Sequence, residues 1–307
     1  MTISIVSASD DKFVPYLGVM LFSLLRNKNT DTSVEIYIID NGISAKNRTR
    51  LSKLIGKFRS SLIFLSVNAD IYKNFRIDSH INHTTYCRLS IPELFNREIK
   101  KILYIDGDVV VRKDLSSLWN IDISDYYMAA VKDWGITSDL PRNNSYFNAG
   151  IMLLNLNKIR CDSIMSKTIT YIEQNRPAMH DQDGLNAIVK ENYLSLPVIY
   201  NTMSCFFFRK KLNNKLVYKY SGGPIIDPYM IHFTGSYKVG LLCNNPYRYL
   251  YYRYLLQTQW RWHALGQFLH IPSEYTDYTK LKYKFLKRYQ PLHKLLRTIK
   301  ANTSKTK

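Results

Sequence analysis

Residues 102–111 read ILYIDGDVVV, so two carboxylates, Asp106 and Asp108, stand one glycine apart inside an apolar run. Burying a carboxylate without a partner is costly, and a positive group is therefore expected between them. On a strand, residues i and i+2 share a face. Read that way, the pair forms a hard-oxygen site for Mg2+ or Mn2+, and such a cation neutralises a diphosphate. The competing reading is an exposed Asp-Gly-Asp turn. The apolar flanks ILYI and VVV count against it, because an ordinary surface turn has polar neighbours.

Two further stretches carry chemistry. MIHFTGSYKVG at 230–240 holds His232, a candidate metal ligand, and Lys238, a candidate phosphate partner. A core histidine is the alternative, and the readings separate on whether His232 lies beside the two aspartates. MHDQDGLN at 179–186 offers Asp181, Gln182 and Asp183 at a helix start, a set that suits a polyhydroxylated ligand. Helix capping explains at least one of the three, and Asp181 is the expected cap. No G-x-G-x-x-G or G-x-x-x-x-G-K-[ST] occurs. This speaks against dinucleotide oxidoreductases and P-loop enzymes, and a nucleotide bound here needs another counter-charge for its phosphates.

Those residues must be positioned by regular elements. ISIVSAS at 3–9, VEIYIID at 34–40, SLIFLSV at 61–67 and KILYIDGDVVV at 101–111 read as strands. Residues 14–27 and 45–58 read as helices, the second with Ser44 as N-cap. Strand–helix alternation at this spacing predicts an α/β fold with a mainly parallel sheet. In such sheets ligands bind at the carboxyl ends of strands, where Asp10 and the Asp106/Asp108 pair both stand. Beyond residue 125 a strand is expected at YYMAAVKDWG, a strand running into a helix at YFNAGIMLLNLNKIR, and helix after residue 246.

The 307 residues are 46% hydrophobic and 22% charged, the balance of a folded chain with a substantial core. Two regions are expected: a catalytic domain over 1–246 and a basic, aromatic, mostly helical extension over 247–307. Four dispersed cysteines read as free thiols in a reducing compartment. The N-terminus lacks a basic leader, and the apolar residues 14–25 are too few to span a bilayer; the expected location is cytoplasmic. Residues 247–307 hold 13 Lys or Arg against Glu274 and Asp277, contributing +11 of the formal net charge of +19. Interleaved cations and aromatics predict binding to an anionic membrane surface. A nucleic-acid-binding protein is the alternative of another class, but it leaves the aspartate pair unexplained, and no nucleic-acid partner is expected.

Seven motifs in order over residues 1–240 carry a resemblance: SASDDKF, IDNGISAKNR, HTTYCRL, YIDGDVVVRKDLSSLW, YFNAGIMLLNL, DQDGLN and HFTGSYK. Together they resemble the family 8 retaining glycosyltransferases, and within them the bacterial lipooligosaccharide α-1,4-galactosyltransferase type. The resemblance implies a GT-A fold, a UDP-sugar donor carrying galactose or glucose, and Mn2+, with Mg2+ as the alternative. It implies a glycan acceptor, lipid-linked lipooligosaccharide or lipopolysaccharide core, met at the inner face of the cell membrane. A glucosyltransferase acting on a protein-linked or capsular glycan is the alternative.

Residue by residue, the resemblance implies Asp106, Asp108 and His232 as metal ligands. It implies Ala8, Asp10 and Lys12 at the uridine, Gly107 on the ribose side, and Arg88, Gly235 and Lys238 at the donor sugar and diphosphate. Asp133, Asn148, Asp181 and Gln182 match positions around the transferred sugar, and His80 and Thr85 match the acceptor side. Gln182, Asp181 and Lys238 are the expected catalytic groups. The chain departs from the family pattern at Lys12, where the family has Asn, at Gly107, and at Val239-Gly240 after Lys238. Gln182 stands where a nucleophile would have to be, and an amide is a poor one. A same-face dissociative route is therefore expected.

Overall fold

The computed structural model describes residues 1–77, 83–134, 145–207, 209–212, 215–218, 225, 227–235, 239, 243 and 245–263. The strands are β1 Thr2–Ser9, β2 Ser33–Asp40, β3 Ser60–Ser66, β4 Lys101–Ile105, β5 Val109–Val111, β6 Met128–Lys132, β7 Phe147–Asn155, β8 Tyr193–Leu196, β9 Thr202–Met203, β10 Arg209–Leu212, β11 Lys215–Tyr218 and β12 Met230–His232. The helices are α1 Val14–Asn27, α2 Ala45–Ile55, α3 Ile91–Leu94, α4 Ser116–Trp119, α5 Leu156–Cys161, α6 Ile164–Asn175, α7 His180–Val189 and α8 Arg248–Leu255. A seven-stranded sheet runs in the order β3-β2-β1-β4-β7-β6-β8. Neighbours are parallel from β3 to β4 and between β6 and β8, and β7 is antiparallel to both β4 and β6. This is the mixed, mainly parallel α/β architecture expected of the sequence.

Alternation decides which side each strand residue serves. Ile3 and Ile5 of β1, Val34, Ile36 and Ile38 of β2, and Leu103 and Ile105 of β4 enter one apolar core beneath α1 and α2. Val6 and Ala8, Tyr37 and Ile39, and Ile102 and Tyr104 enter a second core on the opposite face. A sheet covered on both faces explains why these strands are continuous apolar runs. Helix α1 carries the long apolar stretch at 14–27 and has buried side chains along its length. Ser44 caps α2 as expected, its side chain accepting from Asn47 N at 3.3 Å.

The structure corrects three readings. The two aspartates do not lie on a strand. β4 ends at Ile105, residues 106–108 turn, and β5 joins a separate three-stranded sheet, β5-β12-β9. The chain crosses here between two buried sheets, so the turn has apolar flanks on both sides. Asp181 does not cap α7. It lies inside the helix, and Asp183 reaches back to accept from Met179 N at 2.8 Å.

The boundary expected at 246/247 falls inside one compact unit that starts at Met1 and extends past residue 263. Leu250, Tyr251, Leu255 and Trp260 belong to the core beneath α1, and Trp260 Nε1 donates to Asn47 Oδ1 at 3.0 Å. Aromatic residues counted as tail at the sequence level are thus core residues. The rest of that basic stretch, 264–307, lies outside the described residues. Among the described residues no helix is long and apolar enough to cross a membrane, and all four cysteines are free thiols.

Candidate active site

The turn after β4 and the end of β12 meet because β5 pairs antiparallel with β12, with Val109 opposite His232. His232 Nε2 lies 3.2 Å from Asp108 Oδ1 and 3.7 Å from Asp106 Oδ2. One ligand atom from each of Asp106, Asp108 and His232 lies within 4.8 Å of the others. The aspartate–histidine proximity left open by the sequence is therefore realised. Two like charges this close repel, and a mixed carboxylate–imidazole set with room between its atoms fits a divalent cation such as Mn2+ or Mg2+.

Gly150 makes the convergence possible. A Cβ built there would stand 2.2 Å from His232 Cε1 and 2.7 Å from Asp106 Oδ2. Its carbonyl also accepts from Asp106 N at 2.8 Å, which ties the turn to β7.

Arg88 sits behind the carboxylates and is 6% exposed. Its guanidinium donates to Asp106 Oδ1 at 3.1 Å and to Ala149 O at 2.7 Å, and lies over the Tyr104 ring. Tyr104 Oη donates to the same Asp106 oxygen at 2.6 Å. Arg88 Nε is 3.0 Å from Asp181 Oδ2, but its hydrogen points at Thr85 O. Asp181 thus receives positive charge without a hydrogen bond at Oδ2. Burial outweighs that charge and pushes the Asp181 carboxyl up to about 6, with the Asp106 charge acting in the same direction. The two anions in turn hold the Arg88 guanidinium above its ordinary range, against burial.

A second cluster lies alongside. The register between β6 and β7 shifts between Ala130 and Lys132, a bulge that turns backbone groups of 148–150 toward side chains. Ala149 N donates to Gln182 Oε1 at 3.0 Å, and Gly150 N to Asn148 Oδ1 at 3.1 Å. Asn148 Nδ2 donates to Asp133 Oδ2 at 3.0 Å and to Gln182 Oε1 at 3.1 Å. Gln182 Nε2 reaches Asp133 Oδ2 at 3.2 Å and the Tyr146 hydroxyl at 3.3 Å, and Tyr146 donates to Asp183 Oδ1 at 2.6 Å. Asn186 grips Phe147 on both sides, accepting from its N at 2.8 Å and donating to its O at 3.0 Å. That clasp holds α7, which carries Asp181 and Gln182, against the start of β7, which carries Asn148.

Ala8, Asp10, Phe13, Thr85, Arg88 and Gly107 line a cavity of about 110 Å3 that also includes both aspartates. Asp10 accepts from Phe13 N at 2.8 Å. The Phe13 ring lies 3.1 Å from where a Cβ on Gly107 would be, and so fills the space of a larger side chain. Lys12 is exposed. Gly235 takes φ +82°, a left-handed conformation that favours glycine. Lys238 and His80 lie outside the described residues. Of the residues singled out in the sequence, the structure thus gathers Asp106, Asp108, His232, Arg88, Asp133, Asn148, Asp181 and Gln182 at neighbouring strand and helix ends.

Sequence reasoning passed over Gly150, Asn186, Tyr104, Tyr146 and Asn201. Gly150 and Asn186 lie within quoted motifs, but their importance comes from close approach and a two-sided clasp. Asn201 carries no local signal at all.

The model of the glycosyl transferase family 8 matches residues 4–239. General stress protein A of Bacillus subtilis (strain 168) is 35% identical over 268 residues, covering 83% of this chain and 94% of that protein. Lipopolysaccharide 1,2-glucosyltransferase of Escherichia coli (strain K12) is 25% identical, over 75% of this chain and 70% of that one. The crystal structure of galactosyltransferase LgtC with donor and acceptor sugar analogs superposes with a TM-score of 0.69 at 27% identity, over 89% of this chain and 98% of that one. A match across most of the chain, on this fold, means that the protein belongs to the glycosyl transferase family 8 and is a glycosyltransferase with the GT-A architecture.

Proposed function

We propose that the enzyme moves a hexose, galactose or glucose, from a UDP-hexose to a glycan acceptor with retention, using Mn2+ or Mg2+ held by Asp106, Asp108 and His232. The observation that carries this reading is the convergence of those three side chains beside the Asn148–Gln182–Asp133 cluster. When bound, the cation neutralises negative charge on the diphosphate leaving group. Lys238 is a second counter-charge in this proposal. Ala8, Asp10, Lys12 and Gly107 form the nucleotide side, with Gly235 near the diphosphate. Asp133, Asn148 and Asp181 orient the sugar hydroxyls, while Arg88 holds Asp106 and Asp181 apart in charge. Thr85 and His80 are assigned to the acceptor in this proposal.

Retention by double displacement needs a free carboxylate at the anomeric carbon. Gln182 is an amide whose oxygen already accepts from Ala149 N and Asn148 Nδ2. Asp183 is 1% exposed and engaged by Tyr146 and Met179 N. These ties count against Gln182 and Asp183 as nucleophiles and favour a same-face dissociative route, in which the departing phosphate oxygen takes the acceptor proton; a covalent glycosyl-enzyme trapped on Asp181 or Asp183 would overturn it.

The acceptor we propose is lipooligosaccharide or lipopolysaccharide core, met by a cytoplasmic enzyme at the inner membrane face. Exposed Arg248, Arg253 and Arg261 alternate with Tyr249 at 59%, Leu256 at 60% and Trp262 at 74% exposure. No acidic residue interrupts 245–263. Cations among exposed aromatics suit an anionic lipid surface. The kinship with a lipopolysaccharide glucosyltransferase supports the same acceptor class.

The test is UDP release from a panel of UDP-sugars with Mn2+, Mg2+ or chelator. Metal-dependent turnover of UDP-galactose or UDP-glucose is expected. Turnover unaffected by chelator would overturn the metal site, and failure with every UDP-sugar, acceptor glycans included, would overturn the donor.

A further inference from the structure

We propose that Asn201 is a positioning residue that holds His232 in the tautomer whose Nε2 is open to a cation, with the polarity imposed by the backbone of β7. The inference rests on the metal reading above and extends it to a residue outside the ligand set.

The argument follows the direction of each hydrogen bond. A backbone N–H can only donate. Gly150 N lies 3.1 Å from Asn148 Oδ1 and Ala149 N lies 3.0 Å from Gln182 Oε1, so both side-chain atoms are amide oxygens. The Asn201 atom 2.8 Å from Asn148 Oδ1 must then be its Nδ2. This turns Asn201 Oδ1 toward His232 Nδ1, 3.1 Å away. An amide oxygen only accepts, so Nδ1 carries the hydrogen and the lone pair of the neutral ring lies on Nε2. Nε2 is the nitrogen that faces Asp108 and Asp106.

Burial and pairing make the contact rigid. Asn201 is 0% and His232 3% exposed, which leaves no room for water to replace the amide. The next residue, Thr202, pairs with Ile231 in the β9–β12 ladder, so the two backbones are locked side by side. A partner on the second ring nitrogen fixes the orientation and basicity of a metal-binding histidine. Here that partner is itself oriented by Asn148, a residue proposed to hold the donor sugar.

The experiment measures Mn2+ affinity without nucleotide, by electron paramagnetic resonance of the free ion. The chains compared are wild type, Asn201→Ala, Asn201→Asp, His232→Ala and Asp108→Asn. Long-range 15N–1H spectra report the His232 tautomer, the signal being assigned by its loss in His232→Ala. Asn201→Ala is expected to weaken Mn2+ binding by about 10–100-fold and to abolish the single Nδ1–H tautomer. Asn201→Asp retains an oxygen that accepts from Nδ1 but loses the donor to Asn148 Oδ1, and is expected to keep Nδ1–H and to lose less Mn2+ affinity than Asn201→Ala. A folded Asn201→Ala with unchanged affinity overturns the proposal, as do equal losses in both Asn201 variants, the mark of packing alone. If Asn201→Ala does not fold, the wild-type spectrum decides: a hydrogen on Nδ1, alone or in a doubly protonated ring, upholds the proposal, and Nε2–H with a bare Nδ1 overturns it. Weakened binding in His232→Ala with none in Asn201→Ala removes only the role of Asn201. Unchanged binding in both His232→Ala and Asp108→Asn removes the metal reading and this inference with it.

Discussion

Two polar clusters lie side by side in this site, and they are buried on different terms. Asp106 and Asp108 concentrate like charge at short range beside His232, with Arg88 and Tyr104 both engaging Oδ1 of Asp106. Gln182, Asn148, Asn201 and Asn186 are neutral, and each meets backbone or side-chain groups of matched polarity. The charged cluster gains most from a cation. The amide cluster is complete within the protein, and a satisfied buried network is rigid. The contrast teaches a division of labour: one side waits for charge, while the other supplies a fixed shape against which a sugar and a metal ligand can be held.

The sharpest way to break the contrast is to remove a charge. Asp108→Asn should lower the transfer rate ~10²–10³-fold, as losses of single transition-state stabilisers do; steady-state kinetics at saturating Mn2+ would show this, and near-full activity would contradict it. Gly150→Ala attacks the junction between the clusters. Its Cβ would collide with His232 Cε1 and Asp106 Oδ2, so Mn2+ affinity should fall about 10–100-fold, the scale of disturbed ligand support. Gln182→Ala tests the neutral side. It strips the acceptor from Ala149 N and should cost about 1–3 kcal/mol in urea unfolding. Mn2+ affinity should persist, since Gly150 N still orients Asn148.

Smaller effects come from outside the two clusters. Each of Arg248→Ala, Arg253→Ala and Arg261→Ala should reduce partition onto anionic vesicles by about 1 kcal/mol per charge, and sedimentation with phosphatidylglycerol liposomes would measure it. Unchanged partition in the triple variant would remove the membrane contact.

The last prediction concerns Asp181, whose carboxyl burial raises to about 6 from an ordinary 3.8. The folded chain holds this proton more tightly than the unfolded one. Its contribution to stability is therefore complete below about pH 3.8 and is lost as pH rises through about 6. Metal-free wild type should lose melting temperature relative to Asp181→Asn across that window. Activity should run the other way, rising with pH as the carboxylate forms and accepts a sugar hydroxyl. A difference between the two chains that stays flat with pH would refute the shift.

How much of this was legible depended on the range of the interaction. Strand β1, helix α1 and the Ser44 cap follow from local alternation, propensity and a side chain reaching three residues along. The site residues in ordered motifs were legible through resemblance, which preserves type and order without showing contact. The Asp106–Gly107–Asp108 stretch was misread in form because apolar flanks accompany any buried strand, and two strands of different sheets on either side of a turn look like one strand. Asp181 and Asp183 both suit a helix start by type, and only the path of the chain at Met179 selects Asp183 as the group that reaches back.

By itself the sequence determined the α/β class, the family and the residue types that could hold a metal and a sugar nucleotide, because periodicity and motif order are written along the chain. Only the tertiary structure decided that Val109 stands opposite His232, that Gly150 leaves room between imidazole and carboxylate, and that Asn201 faces His232 Nδ1. Those outcomes depend on which strands become neighbours and on the direction of single hydrogen bonds. Both are set by packing among segments far apart in the chain, and no local pattern encodes them.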